Sequence, residues 1–255
     1  MMKKQPNQVQ EAFSRQAVSY DSYEQSNEIL KWMRNQVRKH TLLHLNPEDH
    51  ILEINAGTGI DAVFFAALDH QVHATDLSAE MIKQLEKKVS ALKLEDKITV
   101  QHCSYTELND ISKRFDYVFS NFGGLNCISD LNPVARRISE LLKPGGMITL
   151  VIMPPVCPWE LTLMFRGYAK TALRRWRKKG VLAHIEGIYF TTYYFTPGHV
   201  LKTFNRYNFR KIDLQGLASV SPPPYMMNFP TRYPRLYKFL TLLDERLSRF
   251  PPFNF

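Results

Sequence analysis

Cysteine is scarce in this 255-residue chain, which contains only three. Cys103, Cys127 and Cys157 are odd in number, far apart and outside any C-x-x-C pair. Neither a disulfide framework nor a cysteine-based zinc site is therefore predicted. We expect a reducing, cytoplasmic environment.

Long apolar runs are also lacking. No stretch approaches the roughly 18 apolar residues of a membrane-spanning helix. The N-terminal sequence MMKKQPNQVQEAF is polar where a signal peptide needs an apolar core, so export is not expected. Hydrophobic residues make up 44% of the chain, which is sufficient for the core of a globular α/β protein.

Acidic residues are outnumbered, with 24 Asp and Glu against 33 Lys and Arg. Much of the excess lies in residues 166–179 (RGYAKTALRRWRKK), which include seven basic residues and no acid. Apolar residues spaced by three or four positions predict an amphipathic helix here: Leu161, Phe165, Tyr168, Ala172 and Trp176. We interpret its basic face as solvated. Contact with an anionic substrate or a membrane surface is the alternative, and a nucleic-acid partner is not expected.

The order of elements predicts the fold class. Residues 8–45 are predicted to be helical, with a capping box at Ser22 and Gln25. Apolar runs then alternate with helical patterns, giving strands at 51–54, 71–75, 97–102, 115–119 and 147–153 and helices at 59–69, 78–92 and 129–142. Such alternation predicts an α/β protein with a Rossmann-like, doubly wound, mostly parallel sheet.

The chain after this core has a different pattern. Three prolines, the basic segment and an aromatic run at 189–195 predict an insertion over the strand ends. A helix at 197–207, a strand near 209–215 and a helix at about 233–248 follow. Within one structural domain we distinguish an N-terminal helical lid (1–45), an α/β core (46–153), an acceptor cap (154–195) and a C-terminal part (196–255).

The stretch ILEINAGTGIDA, residues 51–62, predicts a ligand-binding loop. Gly57, Gly59 and Ala62 fit the short G-x-G-x-x-A pattern of dinucleotide sites. Glu53, however, would repel a pyrophosphate and attract a cationic amino-acid group. Asp76 ends the second strand, near the position where an acid binds ribose hydroxyls. A ribose and a positive charge together favour S-adenosylmethionine over a nicotinamide cofactor.

From about residue 12 to about 153 the chain resembles class I S-adenosylmethionine-dependent methyltransferases. The motifs ExNxGxG (53–59), TDLSxxM (75–81), FDYV (115–118) and LKPGG (142–146) occur in the family's order. Residues 12–21 resemble the lid leader of the ubiquinone/menaquinone-type methyltransferases. Asn55 stands where the family has a glycine. Either the backbone there has a conformation that asparagine can reach, or the methionine end of the cofactor is held differently.

The resemblance implies methyl transfer from S-adenosylmethionine to a small-molecule acceptor by in-line displacement at oxygen or nitrogen, with S-adenosylhomocysteine as the product. The implied cofactor-binding residues are Tyr20, Glu53, Asn55, Ala56, Gly57, Gly59, Asp76, Leu77, Met81, Ser104, Tyr105, Asn121 and Phe122. Two alternatives stay open: an RNA or protein methyltransferase that uses the basic segment, and a cofactor-binding protein without catalysis. Similar proteins end in a further strand, so we expect either an incomplete chain or a sheet one strand short.

Acceptor contacts are predicted from residues flanking the expected pocket: Asn126, Trp159, Tyr189 and Tyr193. His184 and Tyr20 are candidates for a general base, without a choice between them. His40 and His44 have the spacing of metal ligands, but no further ligand completes a motif, so we expect them only to end a helix and predict no metal site. No oligomeric state is predicted.

One further motif resembles that of the nucleic-acid amino methyltransferases. Residues 221–225 (SPPPY) match their S/D/N-P-P-Y element, which in that family follows the fourth strand. Here the motif follows the last predicted strand. We therefore predict a turn before the C-terminal helix.

Overall fold

The computed structural model describes residues 4–108 and 110–254. Within these ranges five strands form the central sheet: β1 (His50–Ile54), β2 (Gln71–Asp76), β3 (Ile98–His102), β4 (Phe115–Ser120) and β5 (Leu142–Leu150). Their spatial order is β3-β2-β1-β4-β5, and every neighbouring pair is parallel. The predicted Rossmann-like sheet is confirmed.

Helices precede the sheet and cover both of its faces. The N-terminal helices are α1 (Lys4–Gln16), α2 (Tyr20–Ser26) and α3 (Glu28–Leu42), followed by α4 (Ile60–Ala66), α5 (Ala79–Leu92) and α6 (Asn132–Leu141). The predicted capping box at Ser22 and Gln25 is wrong. Helix α3 is instead capped by Asn27, whose side-chain oxygen accepts from the backbone N–H groups of Ile29 and Leu30.

The core consists of two apolar layers, one on each face of the sheet. Ile51 of β1 packs with Phe65 of α4 and Leu85 of α5. Its neighbour Leu52 packs on the opposite face with Ile138 of α6. Because both faces are covered, the strands appear in the sequence as continuous apolar runs rather than alternating ones.

The cap after β5 differs from the prediction. Its elements are α7 (Pro158–Leu161), a 3-10 turn (Thr162–Arg166), α8 (Ala169–Ala172), a second 3-10 turn (Arg174–Trp176) and an antiparallel hairpin of β6 (Val181–Ile185) and β7 (Ile188–Thr192). The single basic helix predicted over residues 166–179 is therefore wrong. Gly167, with φ of +82°, leaves the helical region of the backbone. Arg174 and Arg175 both bind the buried Glu160, which folds the segment back on itself.

Helices α9 (Pro197–Asn205), α10 (Phe229–Arg232) and α11 (Pro234–Leu247) complete the described elements. The strand predicted near 209–215 is wrong, because residues 209–216 form neither helix nor strand. Asp213 instead accepts a hydrogen bond from the backbone N–H of Leu214 at 2.7 Å. The predicted turn in the SPPPY motif is confirmed as a 3-10 turn at Pro224–Met226. Among the described helices, none has the length and apolar composition needed to cross a bilayer.

Candidate active site

The glycine-containing loop leaves β1 at the point where the strand order of the sheet reverses, which is where open α/β sheets bind ligands. Asn55, Gly57 and Gly59 all have left-handed backbone conformations, with φ of +54°, +58° and +75°. Asparagine reaches this region more readily than most residues, which explains why it can stand in place of glycine. The Asn55 side chain accepts from Ser120 Oγ at 2.6 Å and donates to the Asn121 carbonyl at 3.1 Å, so it fastens the loop to the end of β4.

Asp76 lies at the end of β2, beside the same loop. Its carboxylate accepts from the backbone N–H of Gly57 at 2.8 Å through one oxygen and from that of Ser78 at 2.8 Å through the other. Burial raises the pKa of Asp76 and these two hydrogen bonds oppose the rise. Each carboxylate oxygen keeps a second lone pair. The group can therefore hold the loop and still accept from ribose hydroxyls.

Glu53, on β1, has a buried oxygen without a partner. Its side chain is buried, and Oε2 makes no hydrogen bond to any described residue. Burial raises its pKa well above the usual range and the neighbouring Asp61 adds to the rise, whereas Arg34 and Arg38 lower it. An unpaired buried acceptor is costly, so the site favours a ligand that brings a positive charge. The amino group of S-adenosylmethionine fits this requirement.

A buried charge network, which the sequence analysis missed, lies next to this carboxylate. Arg34 of α3 donates to Glu24 of α2 with Nε and Nη2 and to Asp61 of α4 with Nη1. Arg38 donates to the second oxygen of Asp61 at 2.7 Å. Burial opposes the charge of Arg34, but Asp61 and Glu24 hold its pKa above the ordinary value. The sequence did contain a signal for this network. Arg34 lies within the apolar stripe of α3, and an arginine at such a buried position needs a buried partner.

The N-terminal helices close over the glycine loop. Asp21 of α2 accepts from the hydroxyl of Thr58 in that loop and pairs with Lys88 of α5 at 2.7 Å. The hydroxyls of Ser14 in α1 and Ser78, which caps α5, lie 2.9 Å apart. Helix α1 also packs on the β6–β7 hairpin. These contacts hold the N-terminal helices against the glycine loop and the hairpin, and their function as a lid stays a prediction.

Three predicted residues meet around Arg34. The guanidinium lies 4.5 Å from the centre of the Phe122 ring, which is cation–π distance. Asn121 donates to Asp61 at 2.9 Å. Tyr20 lies near Arg34, and burial raises the Tyr20 pKa to about 12. Tyr20 and the end of β4 thus lie around one arginine, and cofactor contacts from these residues stay a prediction.

The remaining predicted cofactor residues line the neighbouring strand ends. Met81 is buried and its sulfur approaches Gly57, while Leu77 is half-buried. Tyr105 donates to the Gly124 carbonyl at 3.1 Å. Ser104 accepts from the backbone N–H of Thr106 in a local turn. Adenine contacts from this group stay a prediction.

The residues predicted to contact the acceptor mainly hold the cap together. The Asn126 amide donates to the carbonyls of Met153 and Tyr193 and accepts from the Met153 N–H, and the Trp159 indole donates to Val220 at 3.0 Å. Tyr193 packs against the core beneath the cap. The rings of His184 and Tyr189 lie 4.5 Å apart on the exposed hairpin face opposite α1. No described contact of these side chains points to an acceptor.

A parallel sheet in this order, with an acid near the end of β1, an acid at the end of β2 and a glycine-containing loop between β1 and α4, is typical of the class I S-adenosylmethionine-dependent methyltransferases. These features support a class I methyltransferase, a class whose cofactor is S-adenosylmethionine. Residues 51–146 match the family described as a methyltransferase domain.

Relatives and solved structures agree with this assignment. A demethylmenaquinone methyltransferase of Symbiobacterium thermophilum is 32% identical over 54% of this chain and 56% of its own length. One of Lactiplantibacillus plantarum is 24% identical over 81% of this chain and 90% of its own. The phosphoethanolamine N-methyltransferase 2 of Haemonchus contortus, solved with S-adenosylmethionine, has a TM-score of 0.62 and 20% identity over 90% of this chain and 49% of that one. The match thus spans little more than half of the Symbiobacterium relative's length. The structural similarity to the Haemonchus enzyme shows a shared fold and nothing further.

The unpaired Glu53 predicts that cofactor binding releases protons. A raised pKa means that the empty protein holds a proton on Glu53 above the ordinary value near 4.3, and a cationic ligand favours its loss. The affinity for the cofactor should therefore increase as the pH rises from the ordinary glutamate pKa to the raised pKa of Glu53. Without ligand, stability should fall as the pH rises through the raised pKa, because the folded chain favours the protonated form.

Calorimetry in buffers of different ionisation enthalpy measures the protons released. Glu53→Gln should release fewer than the parent, and Glu86→Gln, which changes an exposed glutamate on α5, should match the parent. Asp76 also has a raised pKa, so some release should remain in Glu53→Gln. Equal proton release by the parent and Glu53→Gln would contradict the assignment of Glu53.

Proposed function

We propose that the chain is an S-adenosylmethionine-dependent methyltransferase that acts on a small apolar or planar molecule. The observation that carries the proposal is the unpartnered carboxylate oxygen of Glu53 beside Asp76 and the glycine loop, because this set fits the cofactor's amino group and ribose. Two relatives named for demethylmenaquinone support an acceptor of this kind.

The cofactor supplies a methyl group already activated by its sulfonium. The chain's own residues position the two reactants and exclude water, which can provide most of the rate acceleration. Asp76 and Glu53 fix the ribose and the amino group. Tyr20, with a pKa of about 12, stays protonated near neutral pH and therefore forms a wall or donates a hydrogen bond rather than acting as a base.

The acceptor test uses methyl-labelled S-adenosylmethionine with three separate fractions: lipid-soluble metabolites, water-soluble metabolites and total RNA. Label should enter a small molecule with the parent protein and not with Asp76→Ala. Product analysis then identifies the methylated atom. Label found only in RNA, or in no fraction, would contradict the proposal.

We further propose that this cytoplasmic enzyme touches a membrane surface through its cap. Apolar side chains of the cap are strongly exposed, including Phe165 at 94%, Leu182 at 68% and Trp176 at 58%. Exposed basic residues accompany them: Lys170, Arg177, Lys178 and Lys179. Aromatic residues mixed with lysine and arginine favour the interface of anionic lipids.

Lys178→Gln with Lys179→Gln should weaken binding to anionic vesicles by about 2 kcal/mol, roughly thirtyfold, because each basic residue near such a surface contributes about 1 kcal/mol. The matched control changes Arg235 and Lys238 of α11, which are also exposed, to glutamine. Arg174 and Arg175 are left intact because their loss would strand the buried Glu160. Vesicle cosedimentation measures the difference, and equal binding by both double variants would contradict membrane contact through the cap.

A further inference from the structure

A second polar cluster lies at the carboxyl end of α3, outside the cofactor site. His40 and His44, four residues apart, occupy one side of this helix end, and Asp213 approaches them from the 209–216 loop. One ligand atom from each of the three residues lies within 4.8 Å of the others. The histidine pair is visible in the sequence, whereas Asp213 is 169 residues beyond His44 in the chain.

The His40 ring nitrogen Nδ1 is buried and has no hydrogen-bond partner within residues 4–108 and 110–254. Asp213 Oδ2 lies 3.8 Å from it, beyond hydrogen-bond distance, and the His44 ring meets the His40 ring edge-on at 5.2 Å. A buried nitrogen left unpaired costs about 1–3 kcal/mol. The cluster therefore contains a buried ring nitrogen that no described hydrogen bond satisfies.

The local charges suit a cation. A neutral imidazole is the state of histidine that binds metals. The carbonyl end of α3 adds a favourable negative potential. Arg249 competes for Asp213 Oδ2 at 3.4 Å, but its side chain is 57% exposed and such a pair contributes little. Gln215 also donates to that oxygen at 2.9 Å.

We propose that His40, His44 and Asp213 bind a divalent transition-metal ion such as Zn²⁺ or Co²⁺. Two imidazole nitrogens and one carboxylate oxygen form a usual ligand set for these ions. Tetrahedral coordination at metal–ligand distances of 2.0–2.2 Å places ligand atoms about 3.3–3.6 Å apart, so small side-chain rotations close the site. The ion would fasten the 209–216 loop, which lacks regular structure, to the helix that also carries Arg34.

The test uses untagged protein freed of metal with a chelator. Calorimetry with Zn²⁺ should show one equivalent bound per chain. Co²⁺ should give visible d–d absorption without a thiolate charge-transfer band, which separates this site from binding at the cysteines. Zn²⁺ should also raise the melting temperature, because it binds the folded state.

Variants identify the ligands. His40→Ala and His44→Ala together should weaken Zn²⁺ binding at least tenfold and abolish the rise in melting temperature, and Asp213→Asn should weaken binding while preserving side-chain volume. His199→Ala, at an exposed histidine on α9, is the matched control and should bind like the parent. If the double variant fails to fold, Asp213→Asn alone decides. The proposal is overturned if the parent binds no stoichiometric metal, or if Asp213→Asn binds it with unchanged affinity.

Discussion

Asp76→Ala should raise the dissociation constant for S-adenosylhomocysteine at least a hundredfold. The parent carboxylate can accept from both ribose hydroxyls, and charge-assisted hydrogen bonds contribute about 1.5–3 kcal/mol each. Losing two of them removes at least 3 kcal/mol, and each 1.4 kcal/mol is tenfold in affinity. Titration calorimetry measures this change directly.

The structure adds a stability cost to this substitution. Asp76 also accepts from the Gly57 and Ser78 N–H groups, so alanine leaves both donors without their acceptor. Binding should therefore be measured well below the melting temperature, with circular dichroism confirming the fold. Asp76→Asn keeps one acceptor oxygen and should fall between the parent and alanine.

Asp96→Ala removes an exposed aspartate in the turn before β3 and is the matched control. It should leave the affinity for S-adenosylhomocysteine unchanged. An affinity of folded Asp76→Ala within threefold of the parent would show that the ribose is bound elsewhere.

Arg34→Met should lower the free energy of unfolding by about 3–5 kcal/mol, because it leaves the buried Glu24 without a cation and Asp61 with Arg38 alone. Glu24 and Asp61 are 6% and 1% exposed, so water cannot replace the guanidinium. Methionine retains much of the apolar volume of the side chain, which limits the effect to the lost charge and hydrogen bonds. Urea denaturation gives the free energy, with an unchanged m-value as the check on two-state unfolding.

The control for Arg34 is Arg136→Met on α6, where an arginine that is 71% exposed lies 3.8 Å from Glu140. Its loss should cost less than about 1 kcal/mol, as surface pairs do. Arg34→Lys keeps the positive charge but loses the guanidinium N–H groups that bind Glu24 and Asp61 at the same time. It should therefore retain only part of the stability that Arg34→Met loses. Arg34→Met behaving like the surface control would mean that the network is open to solvent.

Arg34→Met should also weaken cofactor binding, since Arg34 joins the lid, the first turn of α4 and Phe122. Helix α2 loses its charged attachment to the glycine-loop helix, and the lid should open more often. Hydrogen exchange at the Tyr20 amide should therefore be faster in the variant with S-adenosylhomocysteine bound. Unchanged hydrogen-exchange protection at Tyr20 would show that Arg34 contributes to stability but not to closure of the lid.

Local patterns determined the fold class and predicted the centre of the candidate cofactor site. Apolar runs bounded by helical periods are sufficient for a parallel sheet, since a buried strand needs only its own composition and covered faces. Gly57, Gly59 and Asp76 were found because the required turn and the strand-end carboxylate are properties of short segments. The predicted helices around the core also agree with the structure to within a few residues, because their caps and stripes are local.

Tertiary structure decided everything that depends on distant partners. The basic segment was predicted as one helix from its spacing, but Glu160 draws Arg174 and Arg175 inward and Gly167 ends the regular backbone. Residues 209–216 have a strand-like composition but pair with no described strand, and a strand persists only when its backbone groups find partners. Helix α1 packs outside the sheet core, where Ala12 is fully buried in a cluster with Phe190 of the hairpin.

The charged groups show the same difference between what the local sequence determines and what the tertiary structure determines. The sequence contains Glu24, Arg34, Asp61 and Glu53 as ordinary charged residues, and no spacing rule links positions 24, 34, 53 and 61. Folding buries all four together, pairs three of them and leaves an oxygen of Glu53 unpaired. The sequence thus determined which segments form the sheet and its ligand loop. Only the packing of the lid on the sheet decided which charges are neutralised internally and which one is left for the ligand, because burial and pairing are properties of the assembled chain.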